Sequence, residues 1–409
     1  MSVSKCFWSD GKLSKPLAFE KPLGMRDILP DMVYKKRAVL HKIEKVIAQW
    51  GYEPIETPTL EYYDTVGGVS STMERRMFKL LDRSGRSLVL RPDLTAPIAR
   101  VVASLLKEEP FPVRLYYEGN VFRAQEDEAG RNAEFPEVGI ELIGEEAPDA
   151  DAEVITLAVE SLKAAGVRHF KLILGHHGLL QRFFEEVVGH EPDEKALLEY
   201  LNEKNVVGYR QYVEQAQFTP GQKKRLVSLL GWRGGADILP QVQAELEGAK
   251  TKQALRDLQE LWEVIELQGV GAHVRFDLSL LSHRDYYTGV FFEGYADKLG
   301  FPICSGGRYD HLLGQFGRPA PATGFALKVD RILEASSVPA ADKKDVLLTY
   351  TEQERKEAFA LARRLRDEGR QVTLHRLMAV QGAQMKVTDI SRKADDFQQW
   401  IRLERGEDR

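Results

Sequence analysis

Between residues 178 and 268 the sequence keeps one period, and on either side of that block it keeps another. Inside the block, charged residues surround an apolar stripe. Leu255, Leu258, Leu261, Trp262 and Ile265 recur at the spacing of a helix with one buried face. Outside it, short apolar runs read as strands at 77–81, 87–91, 113–123, 135–144, 169–175, 272–280, 288–295 and 301–305. Most of these runs follow one another without the crossover helix that a parallel pair requires. The pattern therefore predicts an α+β fold, a largely antiparallel sheet with flanking helices, rather than a doubly wound parallel sheet.

The remaining punctuation sets expected boundaries. Residues 1–20 are mixed and read as an extended arm. Helices are expected at 31–50, closed by Gly51, at 94–106, and at 151–165, closed by Gly166. Pro54 and Pro58 cannot donate to a ladder, so 52–61 reads as an edge or interface strand. A Gly-rich turn is expected at 305–307 and a strand–helix unit at 322–336. The core then spans 1–335 with 178–268 inserted, 336–344 is a linker, and 345–409 is a small α/β region. That region has a strand at 345–350, a helix at 352–369, a strand at 371–377 and a polar tail.

Charge and cysteine narrow the function classes. The formal net charge of -5 removes the simplest argument for nucleic-acid binding, a basic surface. Cys6 and Cys304 are too few and too far apart for a disulfide framework or a metal spacing. His176–His177 has no third ligand at a recognisable spacing, so no metal and no cofactor are expected. No stretch approaches the length of a membrane span, and the N-terminus lacks a signal-peptide apolar run. A soluble cytoplasmic protein, not bound to a membrane, is the expectation.

Six local patterns carry the chemistry: GMRDILP (24–30), RPDLTAP (91–97), YYEGNVFRAQEDEAGRNAEFPEVGIELIG (116–144), DYYTGVFFE (285–293), SGGRYDHLLGQFG (305–317) and GFALKVDRIL (324–333). Together and in this order they resemble the histidyl-tRNA synthetase family over residues 20–335. GMRDILP and the Pro58 strand look like the first class II motif, which forms a dimer interface. Residues 116–144 look like motif 2 and GFALKVDRIL like motif 3. DYYTGVFFE and GGRYD look like the two signatures peculiar to histidine enzymes.

The resemblance also shows what has changed. Activating an amino acid gathers negative charge around the ATP α-phosphate, and fixed cations must neutralise it. The motif 2 Arg maps to Arg123. The second catalytic Arg position holds Ser282, and Arg284, two residues on, would lie about 7 Å away along a strand. Gln125 replaces a Glu that holds ATP, and Ala133 replaces a later Arg, whereas Arg331 of motif 3 survives. Arg123, Gln125 and Arg331 are thus a remnant ATP site, and no catalytic residue is assigned. The histidine pocket is better kept. Asp93, Thr95 and Glu137 match the positions that face the ammonium. Glu141 and Tyr287 match those that grip the ring, and Tyr309 matches a pocket wall. Carboxylates and hydroxyls suit the donors that histidine offers.

Each reading has a plainer counterpart. Arg123 could pair with Glu141 or Asp93 as a structural ion pair. Tyr286 and Tyr287 point to opposite faces of a strand, so one of them packs in the core. Gly306 and Gly307 could serve only the turn. The whole combination, including a C-terminal region too short for the family's anticodon-binding domain, looks like the family's non-catalytic paralogue. That paralogue regulates short-form ATP phosphoribosyltransferase, the first enzyme of histidine biosynthesis. The resemblance implies a catalytic-subunit partner, L-histidine as effector, a homodimer within a hetero-oligomer (a hetero-octamer), and no tRNA. The alternative is a divergent active histidyl-tRNA synthetase, and a third reading is a free-standing histidine sensor.

Overall fold

A computed structural model describes residues 21–70, 72, 74–124, 132–282, 287–339, 344–377 and 397–403. The expected arm at 1–20 lies outside these residues. So do Gln125, Arg284 and Tyr286. The chain forms two compact units, Met1–Val338 and Pro339–Arg409.

The first unit opens with α1 (Pro30–Gln49). Pro30 at its start gives up a donor that would be unpaired anyway, and Gly51, at φ +79°, takes the left-handed position past its end. Short strands β1 (Glu53–Pro54) and β2 (Leu60–Tyr62) follow, then the hairpin β3 (Lys79–Leu81) and β4 (Ser87–Leu90). The Asp82 carboxylate accepts from the backbone N–H groups of Ser84 and Arg86 and so fixes the hairpin turn. Next come α2 (Thr95–Ser104), the long pair β5 (Val113–Phe122) and β6 (Glu134–Ile143), α3 (Pro148–Ala164) and β7 (Phe170–His176).

The helical block comprises α4 (His177–Val187), α5 (Glu191–Asn202), α6 (Val206–Gln215), α7 (Pro220–Leu229), β8 (Arg233–Gly234), α8 (Leu239–Glu245) and α9 (Ala249–Leu267). It is not purely helical, because β8 pairs with the following strand β9 (Val274–Asp277) at the sheet's edge. Its core is continuous with that of the rest of the unit. Leu197, Tyr209, Leu226 and Leu258 belong to the same buried cluster as Leu157 of α3 and Leu172 of β7. The unit closes with β10 (Val290–Ala296), β11 (Cys304–Arg308), β12 (Ala322–Lys328) and α10 (Val329–Ala335).

Nine strands make one sheet in the order β1-β5-β6-β12-β11-β10-β7-β9-β8. Only the β1–β5 and β7–β9 pairs are parallel. The sheet is therefore mixed, and the expected antiparallel character holds through its centre. One face packs against α1, α3 and α10, and the other carries a smaller cluster that includes Leu94, Ile98, Tyr117, Phe291 and Leu312.

Three expectations are corrected here. Residues 305–307 are not a turn but the middle of β11. Gly306 and Gly307 pair with Phe292 and Phe291 on one side and with Phe325 and Gly324 on the other. Their lack of a side chain serves close approach: a Cβ on Gly306 would sit 2.5 Å from the Gly324 carbonyl, and one on Gly307 2.7 Å from the Phe291 Cα. In the second unit, β13 (Lys344–Tyr350), α11 (Arg355–Asp367) and β14 (Val372–Arg376) follow the expected pattern. The tail read as polar, however, contains β15 (Phe397–Arg402), which adds a parallel strand on the free edge of β13. Of the expected linker, Ser336–Val338 belongs to the first unit, where the Ser336 hydroxyl donates to the Ala165 carbonyl at 2.6 Å.

Candidate functional site

The site lies on the sheet face opposite α3. Strand alternation gathers its residues there. Glu137, Gly139 and Glu141 project from one face of β6, Gly324 and Ala326 from β12, and Ser305 and Gly307 from β11, with Tyr309 just beyond. The register sets Glu141 opposite Gly324 and Gly324 opposite Gly307. This row has almost no side chains, which leaves a trough across the middle of the sheet. A Cβ at Gly324 would collide with the Glu141 carboxylate, and one at Gly139 would sit 2.5 Å from the Tyr117 hydroxyl. The glycines thus let Glu141 and Tyr117 lie flat across their neighbours.

The trough ends in a narrow recess lined by Thr95, Tyr117, Glu141, Tyr287, Ser305, Gly307, Tyr309, Gly324, Phe325 and Ala326. Four of the residues expected from sequence, Thr95, Glu141, Tyr287 and Tyr309, meet here. Glu141 is buried and accepts a hydrogen bond from the Tyr309 hydroxyl. Tyr287 is buried and stacks on Phe291 with ring centroids 5.9 Å apart. It packs in the core cluster and faces the cavity at once.

Asp93, Arg123 and Glu137 do not line this cavity. They form a buried polar group beside it. Asp93 sits at the start of α2, where it accepts from the Ala96 N–H at 3.0 Å and from the Ser70 hydroxyl. Arg123 leaves the end of β5. Its Nε donates to the Pro92 carbonyl at 2.8 Å, and its Nη2 lies 3.4 Å from Glu137 Oε1. The ion pair that the sequence left open is made with Glu137, a partner not among those expected. Glu137 is almost fully buried, and removing Arg123 would leave it uncompensated there.

The remnant ATP positions are spread out. Arg331 donates to the Pro302 carbonyl at 2.7 Å and faces the Phe301 ring. Burial lowers its pKa, Asp330 opposes that, and the Arg123 charge adds to it. Ala133, where the family has an Arg, is buried, and its N–H donates to the Gly24 carbonyl at 2.8 Å. Ser282 is half-buried just before the undescribed stretch 283–286. Three carboxylates (Asp93, Glu137, Glu141) thus lie buried near the Arg123 guanidinium, which contacts Glu137. Carboxyl oxygens of this kind suit a guest that brings N–H donors. Tyr117 and Ser305 escaped the sequence reading, although their signal was present: Ser305 lies at even spacing from Tyr309 on one strand face.

A second arrangement holds this floor in place. Arg308 is buried between the sheet and α3. Its Nε donates to Asp151 Oδ2 at 2.9 Å, and its Nη1 reaches the Glu145 carbonyl at 3.0 Å and Asp310 Oδ1 at 3.3 Å. Arg308 precedes Tyr309, so these bonds fix the strand end from which Tyr309 projects.

With this geometry in hand, likeness to known proteins can be stated. The histidyl-tRNA synthetase family profile matches residues 24–332. An ATP phosphoribosyltransferase regulatory subunit of Halalkalibacterium halodurans is 44% identical over 391 residues, 95% of this chain and 97% of that one. The chain belongs to the family of ATP phosphoribosyltransferase regulatory subunits, within the wider histidyl-tRNA synthetase family. A crystal structure from Bacillus halodurans, described as an ATP phosphoribosyltransferase regulatory subunit/histidyl-tRNA synthetase, superposes with a TM-score of 0.86 at 44% identity. It covers 95% of this chain and 99% of that one. The histidyl-tRNA synthetase of Nostoc shares the fold, with a TM-score of 0.76 at 21% identity, covering 93% and 90% of the two chains. Among the described residues, no three His, Cys, Asp or Glu cluster as metal ligands, and no helix is long and apolar enough to cross a membrane.

Proposed function

We propose that this chain is a non-catalytic regulatory subunit that binds the short-form catalytic subunit of ATP phosphoribosyltransferase and reports L-histidine to it. Family membership supports the regulatory role. The observation that carries the histidine assignment is the buried Glu141–Tyr309 pair, set in a cavity with Thr95 and Tyr287 beside the acidic group of Asp93 and Glu137. The imidazole N–H donates to Glu141 in the cavity, and the ammonium faces Thr95, Asp93 and Glu137. Regulation follows only if histidine favours one state of the complex over another, since equal affinity for both shifts nothing.

Assembly is part of the same reading. Leu29 at the start of α1 is 72% exposed and Leu81 of the hairpin 73% exposed. Covering these side chains in a two-fold homodimer, around which catalytic subunits gather as a hetero-octamer, would remove that apolar surface from water. The protein works in the cytoplasm, without tRNA and without a cofactor.

Calorimetry on the isolated chain tests the pocket. Wild type should bind L-histidine and reject leucine and phenylalanine. Glu141→Ala should weaken binding by about 1–3 kcal/mol, because the ring donor loses its acceptor. Equal histidine affinity in the two proteins would place the effector elsewhere. Mixing wild type with a short-form catalytic subunit should raise phosphoribosyl transfer, and no gain would reject the partnership.

A further inference from the structure

We propose that the cleft next to this recess is a second ligand site, which takes a phosphate-bearing small molecule through Arg182, His177 and His311. The site stands on its own residues and does not depend on the recess holding histidine.

The cleft has a volume of about 640 Å³. It opens between the loop after β2, the first turns of α4, the residues just before β10 and the loop after β11. Small-molecule sites typically measure about 300–1,000 Å³, so the space suits a metabolite rather than a folded partner. Arg182, His177 and His311 line it, and among the described residues no carboxylate does. The carboxylates behind its walls are already engaged. Asp310 accepts from the Thr288 hydroxyl at 2.8 Å and meets Arg308. Asp93 accepts from Ser70 and from the Ala96 N–H, and Glu185 accepts from Gln181 Nε2 at 3.2 Å. Arg182 is exposed to the cleft and makes no ion pair among the described residues.

The chemistry of the lining selects the guest. A concave wall that carries cations and no carboxylate concentrates anions. The guanidinium of Arg182 is a planar fork that matches two oxygens of a phosphoryl group. The imidazoles of His177 and His311 add N–H donors, Thr72 a hydroxyl and Gln315 an amide. A terminal phosphoryl group offers three oxygens to these donors, where a carboxylate offers two. Val69, Leu312 and the Tyr287 ring supply an apolar side for the rest of the molecule. Tyr287 also lines the recess, so the two chambers share one wall. Arg182 has a competing use on its other side, where a second cleft carries Asp257 and Glu260. It forms an ion pair with neither of them in this structure.

The test is calorimetry on the full chain at fixed ionic strength, with inorganic pyrophosphate and ribose 5-phosphate as probes. Wild type should bind at least one of them, and the tighter of the two separates a bare diphosphate from a phosphate ester as the guest. Arg182→Gln should weaken that binding about tenfold, the usual scale for losing a hydrogen bond to a charged group. His311→Gln should weaken it several-fold. Arg210→Gln removes the same charge from the exposed side of α6, which does not line the cleft, and should change nothing. The urea midpoint of Arg182→Gln should match that of wild type. Binding of neither probe by wild type overturns the proposal. So does an equal loss in Arg182→Gln and Arg210→Gln, which is the response of overall charge and not of a site. A lower urea midpoint in Arg182→Gln with probe affinity unchanged also overturns it and assigns the side chain to Asp257 and Glu260.

Discussion

Replacing Arg308 with Met should destabilise the first unit far more than loss of a surface charge would. The Arg308 and Asp151 side chains are each 9% exposed and meet at 2.9 Å, and the guanidinium also holds Asp310 and the Glu145 carbonyl. Burial pushes the Asp151 carboxyl upward, and the Arg308 charge and hydrogen bond act against that push. Met keeps much of the volume but leaves Asp151 buried without its counter-charge. Breaking one side of a buried pair typically costs about 3–5 kcal/mol. With a urea slope of about 3 kcal/mol per molar, the unfolding midpoint should fall by roughly 1 M or more. Tryptophan fluorescence can follow this, since Trp50, Trp232 and Trp262 all pack on the main core. The double variant Arg308→Met/Asp151→Leu should recover most of the loss, because an apolar pair of similar volume needs no solvation. A single-variant effect below about 1 kcal/mol would mean the pair behaves as a solvated one, and the reasoning about what anchors Tyr309 would be wrong.

Three other outcomes are expected. Burial, with help from the Arg182 and His177 charges, lowers the pKa of His176 from 6.5 to about 4, while its Nδ1 accepts the Leu179 N–H at the start of α4. Above pH 6.5 folded and unfolded states are both neutral here. As pH falls toward 4 only the unfolded state takes the proton, so up to about 3 kcal/mol of stability is lost across that window. His176→Asn should flatten this part of a urea-midpoint-versus-pH curve, and an unchanged slope would count against it. Gly324→Ala should abolish histidine binding in calorimetry, since its Cβ takes the space of the Glu141 carboxylate and crowds the Ile140 carbonyl; retained affinity would show that the trough can widen. Histidine-dependent pyrophosphate exchange should be absent, and Ser282→Arg alone should not restore it, because Gln125 and Ala133 also depart from the ATP-binding pattern; exchange at synthetase rates would argue for an active enzyme.

The strands were legible because period-two alternation is local. So were the C-terminal ends of α1 and α3, marked by Gly51 and Gly166. What was not legible depends on distant residues. Gly306 and Gly307 read as a turn because glycine usually marks one. They lie in a strand because Phe291, Gly324 and Phe325 press against them from two neighbouring strands. β15 was missed because only Phe397 in it is fully buried, and its partner β13 lies about fifty residues earlier in the chain. The Arg123 partner was open for a similar reason. Asp93, Glu137 and Glu141 are all acidic, and the Arg123–Glu137 contact depends on how the Arg123 side chain folds back past the end of β5.

On the reading proposed above, the arrangement accounts for how activation chemistry can go while the pocket stays. The two functions use opposite electrostatics on one sheet face. Transition-state stabilisation needs several cations around a phosphate. Here Ser282 and Ala133 stand where the family has Arg, and Arg331 is turned to the Pro302 carbonyl. Ligand recognition needs carboxylates and hydroxyls on a floor without side chains. Glu141, Glu137 and Asp93 supply the first, and Gly139, Gly307 and Gly324 the second. Ser282 and Ala133 lie in loops and Arg331 on α10, outside the row of paired strands that makes the floor. The floor is different: every glycine there is pressed by a neighbouring strand, and Glu141 fits only while Gly324 remains glycine. Drift that removes the cations is therefore tolerated by the fold, whereas drift that fills the trough strains the central sheet. A chain of this kind can lose catalysis in a few steps and still hold a shaped, acidic cavity on which regulation can be built.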